Sequence, residues 1–105
     1  MEQPIRVLHV EDEPEFADVT TTFLEREDER IQVRTETRVA DALETLADHD
    51  VDCVLSDYDM PGRDGIEFLE AVREEYPDIP FVLYTGKGSE EIASEAISAG
   101  VTDYL

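Results

Sequence analysis

Apolar residues along the chain alternate between two spacings. The run IRVLHV (5–10) is apolar and β-branched, as a buried strand is. Pro14 then opens a segment with Phe16, Val19, Phe23 and Leu24 at helical intervals, and proline suits a helix's first turn. IQVRTE (31–36) alternates strictly, predicting a strand with one solvated face. Val39, Ala42, Leu43 and Leu46 return to helical spacing, with Thr37 as the expected N-cap. VDCVLS (51–56) predicts a third strand, and Asp64 with Glu67 forms a capping-box pattern. The following helix carries Ile66, Leu69, Val72 and Tyr76 on one face and stops at Pro77. IPFVLYT (79–85) predicts a fourth strand. Ser89 caps a helix with Ile92, Ala93, Ala96 and Ile97 on its stripe, Gly100 ends it, and VTDYL (101–105) begins a fifth strand.

Strands alternating with single helices across short loops predict parallel βαβ units with right-handed crossovers. The expected architecture is an α/β, doubly wound open sheet formed by one domain. Such sheets bind ligands beyond the carboxyl ends of their strands. The residues just after each strand therefore become the candidates.

Composition narrows what those candidates meet. Acidic residues number 28 against 8 basic ones, of which only Lys87 is a lysine, and the formal net charge is −20. Such a charge opposes direct binding to nucleic acid or to an anionic membrane. The acids are spread over every segment, which suggests adaptation to a high-salt cytoplasm and a halophilic archaeal source. Cys53 is the single cysteine, so no internal disulfide forms, and it is expected to act as a small buried hydrophobe. No signal peptide or membrane-spanning run is present, and a cytoplasmic location is expected.

Glu11, Asp12 and Glu13 follow the first strand, Asp57 and Asp59 the third, and Thr85 and Gly86 the fourth. If those strands are neighbours, Glu11, Asp12 and Asp57 converge with a hydroxyl at their edge. Three carboxylates so close cannot all stay ionised without a cation. Oxygen-only donors favour a hard ion such as Mg²⁺. His9 lies inside the first strand and reads as a packed or hydrogen-bonded sheet residue, while His49 reads as solvated. An aspartate beside a metal can also attack phosphorus to form an acyl phosphate.

The segments VEDEP, VLSDYDMPGRDG, YTGKGS and AGVTDYL together resemble the receiver domain of two-component response regulators. The resemblance covers nearly the whole chain. It implies a flavodoxin-like five-stranded sheet in the order 2-1-3-4-5 and makes Asp57 the residue phosphorylated by a histidine kinase or phosphotransfer protein. It also implies Mg²⁺ held by the carboxylates of Asp12 and Asp57, by the backbone carbonyl of Asp59, and by Glu11 through water. Thr85 would bond the phosphoryl group, and Tyr104 would turn inward in the active state. Pro61 and Gly62 suit the loop that carries Asp59. The chain would then be a signalling switch in a phosphorelay and not an enzyme, beyond taking up and losing its own phosphoryl group.

Three departures from the family pattern stand out. The acidic pair is Glu11-Asp12 where two aspartates are commoner. The family's phosphate-binding lysine and its last helix both fall beyond Leu105. Residues 1–105 are therefore expected to be a receiver domain truncated at its C-terminus, with an apolar flank left bare around the first and fifth strands. An output domain in the same chain or a separate downstream protein would read the switch. Lys87 offers a poor substitute for the lysine, though it could pair with Asp59 across the site. Two other functions compete: a degenerate receiver that only binds partners, and a phosphatase of the haloacid-dehalogenase type, which DYDMP also resembles. The TGKGS segment fails the Walker pattern, because Phe81 stands where its first glycine is needed.

Overall fold

The computed structural model describes residues 3–86 and 88–105. Its strands are β1 (Ile5–Val10), β2 (Ile31–Glu36), β3 (Cys53–Asp57), β4 (Phe81–Tyr84) and β5 (Asp103–Tyr104). Between them run helices α1 (Pro14–Glu27), α2 (Val39–Asp48), α3 (Gly65–Glu75) and α4 (Glu90–Ala99). The strands form one sheet in the order β2-β1-β3-β4-β5, with every neighbouring pair parallel. This is the expected doubly wound, flavodoxin-like topology.

Two helix starts and one helix end follow their local chemistry closely. Asp64 accepts from the amides of Ile66 and Glu67 while Glu67 accepts from the Asp64 amide, a complete capping box. Ser89 accepts from the Ile92 amide at the start of α4, and Gly100 ends that helix at φ +94°. Gly62 reverses the loop after β3 at φ +85°, the backbone freedom expected of it. Thr37 is not the cap of α2. The helix starts one residue later, with Arg38 at the N-cap and no side-chain cap bond. Its apolar face, with Val39, Ala42 and Leu46 buried, holds α2 in place instead.

Three strands are shorter than their apolar runs. Before β3, the Asp52 carboxylate accepts from the Arg6 amide at 2.8 Å, substituting for a ladder bond. Before β4, Pro80 has no donor for the ladder, though its carbonyl accepts from the Val54 amide. At β5, the Thr102 hydroxyl oxygen accepts from the Phe81 amide at 2.9 Å, and the paired strand is two residues long.

The sheet's two faces are covered unequally. Leu8, Val10, Val54, Phe81 and Leu83 point to one face and are fully buried in a single cluster with residues of α2, α3 and α4. Among the described residues, α1 covers the opposite face. Cys53, Leu55 and Val82 are half-buried there, and Phe16, Val19 and Phe23 of α1 are 48, 68 and 61% exposed. Cys53 is thus half-buried and not fully enclosed. On α4 the buried line runs through Ile92, Ala96 and Ala99; Ile97, expected on the stripe, is 70% exposed. Among the described residues no helix is long and apolar enough to cross a membrane.

Candidate functional site

Side chains alternate along a strand, so Val7, His9 and the residue position at Glu11 share one side of the β1 line. Cys53, Leu55 and Asp57 do the same on β3, in register with them through His9 opposite Leu55. On β4, Tyr84 stands opposite Asp57. The carboxyl ends of β1, β3 and β4 therefore carry Glu11, Asp57 and Tyr84 toward the same face, the one bearing α1.

Glu11, Asp12 and Asp57 each present a carboxylate oxygen, and these atoms lie within 4.8 Å of one another. They line a cleft of about 620 Å³, together with Asp59, Pro61, Tyr84, Thr85 and Gly86. Glu11 is buried, at 3% exposure, and its two oxygens are held separately. Oε2 accepts from the Glu13 amide at 3.1 Å, and Oε1 accepts from the Tyr84 hydroxyl at 2.6 Å. Asp57 Oδ1 accepts from the Asp59 amide at 3.2 Å.

The electrostatics are those of crowded acids. Burial raises the Glu11 carboxyl above its ordinary range; the bonds from Tyr84 and Glu13 oppose this, and the Asp57 charge adds to it. Burial likewise raises Asp57, against its bond from the Asp59 amide and with repulsion from Asp12. His9 is fully buried, and desolvation lowers its pKa to about 4. Its Nε2 lies 2.8 Å from the Tyr84 hydroxyl. Burial, then the bond to Glu11, raises the Tyr84 phenol, which stays protonated as a donor.

The loop that aims Asp57 closes tightly on α3. The Tyr58 amide donates to the Tyr84 carbonyl at 2.9 Å, and the Gly65 amide donates to the Tyr58 carbonyl at 2.8 Å. A Cβ on Gly65 would fall on the Asp57 carbonyl oxygen and 2.6 Å from a Leu83 methyl. Only glycine lets α3 start this close to the strand end.

A family model, the response regulator receiver domain, matches residues 7–105. The chain belongs to this family. The nitrogen assimilation regulatory protein NtrX of Azorhizobium caulinodans is 32% identical over 101 residues, 94% of this chain and 22% of that protein. The response regulator protein PilR of Pseudomonas aeruginosa is 29% identical over 95% of this chain and 22% of its own length. The receiver domain thus spans about a fifth of these curated relatives. Among solved structures, the chemotaxis protein CheY4 of Vibrio cholerae superposes with a TM-score of 0.90 at 28% identity, over 97% of this chain and 85% of that one. A CheY-like receiver domain protein of Methanospirillum hungatei gives 0.90 at 25% identity, over 98% and 81%. The chain is therefore a CheY-like receiver domain of the two-component type, a phosphoacceptor switch. The curated relatives named here are bacterial and do not support a halophilic archaeal source.

Of the site residues expected from the sequence, Glu11, Asp12 and Asp57 come together, and Asp59 and Thr85 line the same cleft. The Asp59 carboxylate stands outside the three-acid cluster. Tyr104 is not at the acids. Its hydroxyl is buried with no hydrogen-bond partner among the described residues, and a Cβ on Gly88 would lie 3.1 Å from it. Lys87, with its expected pairing to Asp59, lies outside the described residues. Sequence reasoning placed His9 in the sheet but did not connect it to Tyr84, and it passed over Gly65. The available signal was a phenol directly before Thr85, on a strand otherwise apolar.

Proposed function

We propose that Asp57 of this receiver domain accepts a phosphoryl group, in a Mg²⁺-dependent reaction, from a sensor histidine kinase or a phosphotransfer protein. The observation carrying this reading is the convergence of three carboxylates, without a balancing cationic side chain among the described residues of the cleft. The donors are all oxygen and crowded with negative charge, which fits a small hard cation. When bound, Mg²⁺ offsets the charge of these carboxylates and of the incoming phosphoryl oxygens. Asp12 and Asp57 would hold it, with the backbone carbonyl of Asp59, and Glu11 would reach it through water.

An Asp57 oxygen attacks the phosphorus of a phosphohistidine. The P–O bond forms as the P–N bond breaks, and the leaving imidazole keeps the electron pair and takes up a proton. Thr85 donates its hydroxyl to a phosphoryl oxygen, and the change is relayed through Tyr104, whose hydroxyl is buried close to Gly88. The added charge shifts the population of two arrangements, which an output domain or downstream protein reads. The domain acts in the cytoplasm without contacting nucleic acid or membrane itself, and it turns over no substrate beyond its own acyl phosphate.

Acetyl phosphate with Mg²⁺ tests this reading. The wild-type protein should gain one phosphoryl group by intact-mass spectrometry, and Asp57→Asn should gain none. An unmodified wild type would instead support a receiver that only binds partners. The net charge of −20 supports a salt-adapted surface, for which the melting temperature should rise from low salt to molar KCl. A salt-independent melt rejects it.

A further inference from the structure

The Tyr84 phenol spans two strands. It leaves β4, crosses the β3 line and places its hydroxyl between His9 Nε2 at 2.8 Å and Glu11 Oε1 at 2.6 Å. A tyrosine has one hydroxyl proton, and an ionised Glu11 oxygen can only accept it. His9 Nε2 must then be the donor to the phenol oxygen. That assignment leaves Nδ1 without a proton, and Nδ1 is the buried His9 nitrogen that has no partner among the described residues. An N–H left there unpaired would cost more than an idle lone pair. The bonds therefore run one way, from His9 Nε2–H to the Tyr84 oxygen and from the Tyr84 O–H to Glu11.

Packing holds the phenol in this pose. The His9 and Phe16 rings both lie 5.9 Å from the Tyr84 ring, centroid to centroid, tilted by 41° and 34°. Glu11's other oxygen is pinned by the Glu13 amide. With both oxygens bonded, the orientation of the Glu11 carboxylate is fixed. An aspartate at this position would need less restraint; the glutamate has one more rotatable bond to immobilise.

We propose that Tyr84, backed by His9, is a positioning residue that holds the Glu11 carboxylate in the orientation required at the cation site. The proposal rests on the reading of Glu11, Asp12 and Asp57 as a Mg²⁺ site. Partners in this outer position commonly change metal affinity by about 10- to 100-fold.

Calorimetric Mg²⁺ titration of the purified protein at fixed pH tests it, with the melting temperature of each variant as a check on folding. Tyr84→Phe keeps the ring and removes the donor, and should weaken Mg²⁺ binding roughly tenfold. His9→Phe should weaken it less, roughly two- to threefold, because it acts through Tyr84. In a Glu11→Gln background Tyr84→Phe should cost little more, the non-additivity expected of groups acting as one. Unchanged affinity in Tyr84→Phe overturns the proposal, as does the same loss with and without Glu11. A wild type that binds no Mg²⁺, or binds it equally after Asp57→Asn, overturns the cation site and the proposal together. The two failures are thus distinguishable.

Discussion

The two faces of the sheet divide the work of the molecule. Toward α2, α3 and α4 the strands present aliphatic and aromatic side chains that are fully enclosed. Toward α1 they present Cys53, Leu55 and Val82 half-covered, then His9 and Tyr84, and finally Glu11 and Asp57. Among the described residues, apolar packing is dense on the face away from the acids, and the acids lie on the face that α1 covers, beside the buried Val7 and His9. The arrangement has a physical basis. Strand alternation sends every second side chain to each face, so the side that carries the acids cannot also be apolar to its end. Burial of those acids weakens the fold, and the enclosed face supplies the stability they draw on.

Truncations on the two faces should separate most widely. Phe68→Ala removes a fully buried ring that packs 5.5 Å from Phe81, and should cost about 3–5 kcal/mol of unfolding free energy. Phe23→Ala removes a ring 61% exposed on α1, and should change stability by about 0.5 kcal/mol or less. Urea unfolding of both variants measures the difference. Similar costs would mean that the α1 face is as tightly packed in solution as the other.

His9 sharpens the comparison through pH. Its pKa is lowered from 6.5 to about 4 in the folded chain, so the unfolded chain binds a proton first as the solution is acidified. The contribution of neutral His9 is fully present above pH 6.5 and is lost progressively down to about pH 4. The loss is on the order of 3 kcal/mol, from about 1.4 kcal/mol for each pH unit of displacement. Tyr84 and Glu11 are the titratable groups that face it along the hydrogen-bonded line. His9→Phe should flatten this part of the stability–pH curve, measured by urea unfolding between pH 4 and 7. An unaltered slope would show that His9 does not set it.

Gly65 joins the faces, since a side chain there would strike both the Asp57 carbonyl and Leu83. Gly65→Ala should destabilise by about 1–3 kcal/mol through overpacking. It should also slow modification of Asp57 by acetyl phosphate, because the strand end must shift. Loss of stability with an unchanged modification rate would separate the two consequences.

What was legible in the sequence was mostly local or set by strand order. The Asp64–Glu67 box, the Ser89 cap and the Gly62 and Gly100 reversals need only a few neighbouring residues. Convergence of Glu11, Asp12 and Asp57 needs the order of three strands, which the alternation of elements and the receiver-like motifs supplied. The Thr37 cap failed because a capping residue one position earlier reads equally well when packing decides the start of α2. Phe16, Val19 and Phe23 have helical spacing, but spacing does not reveal whether a face is covered. Tyr84 and His9 lie 75 residues apart and meet across an intervening strand. That contact depends on the reach of a phenol, and no periodicity encodes it. Gly65 is similar: its necessity comes from a carbonyl and a leucine on other strands' ends.

The smallest expected effect concerns the cost of the site itself. Asp57 has a folded-state pKa above its ordinary value, chiefly from burial. Its ionised form therefore weakens the fold at neutral pH, and this penalty fades as pH falls through the folded pKa toward the unfolded one. Asp57→Asn removes the charge while keeping an oxygen acceptor for the Asp59 amide. Without divalent cation, its melting temperature at neutral pH should exceed that of the wild type by a few degrees. The gain should disappear on acidification below the carboxylate range, where the wild-type group is already neutral. Added Mg²⁺ should narrow the neutral-pH difference by stabilising the wild type more than the variant. A variant no more stable than wild type would mean that water reaches Asp57 well enough to solvate it.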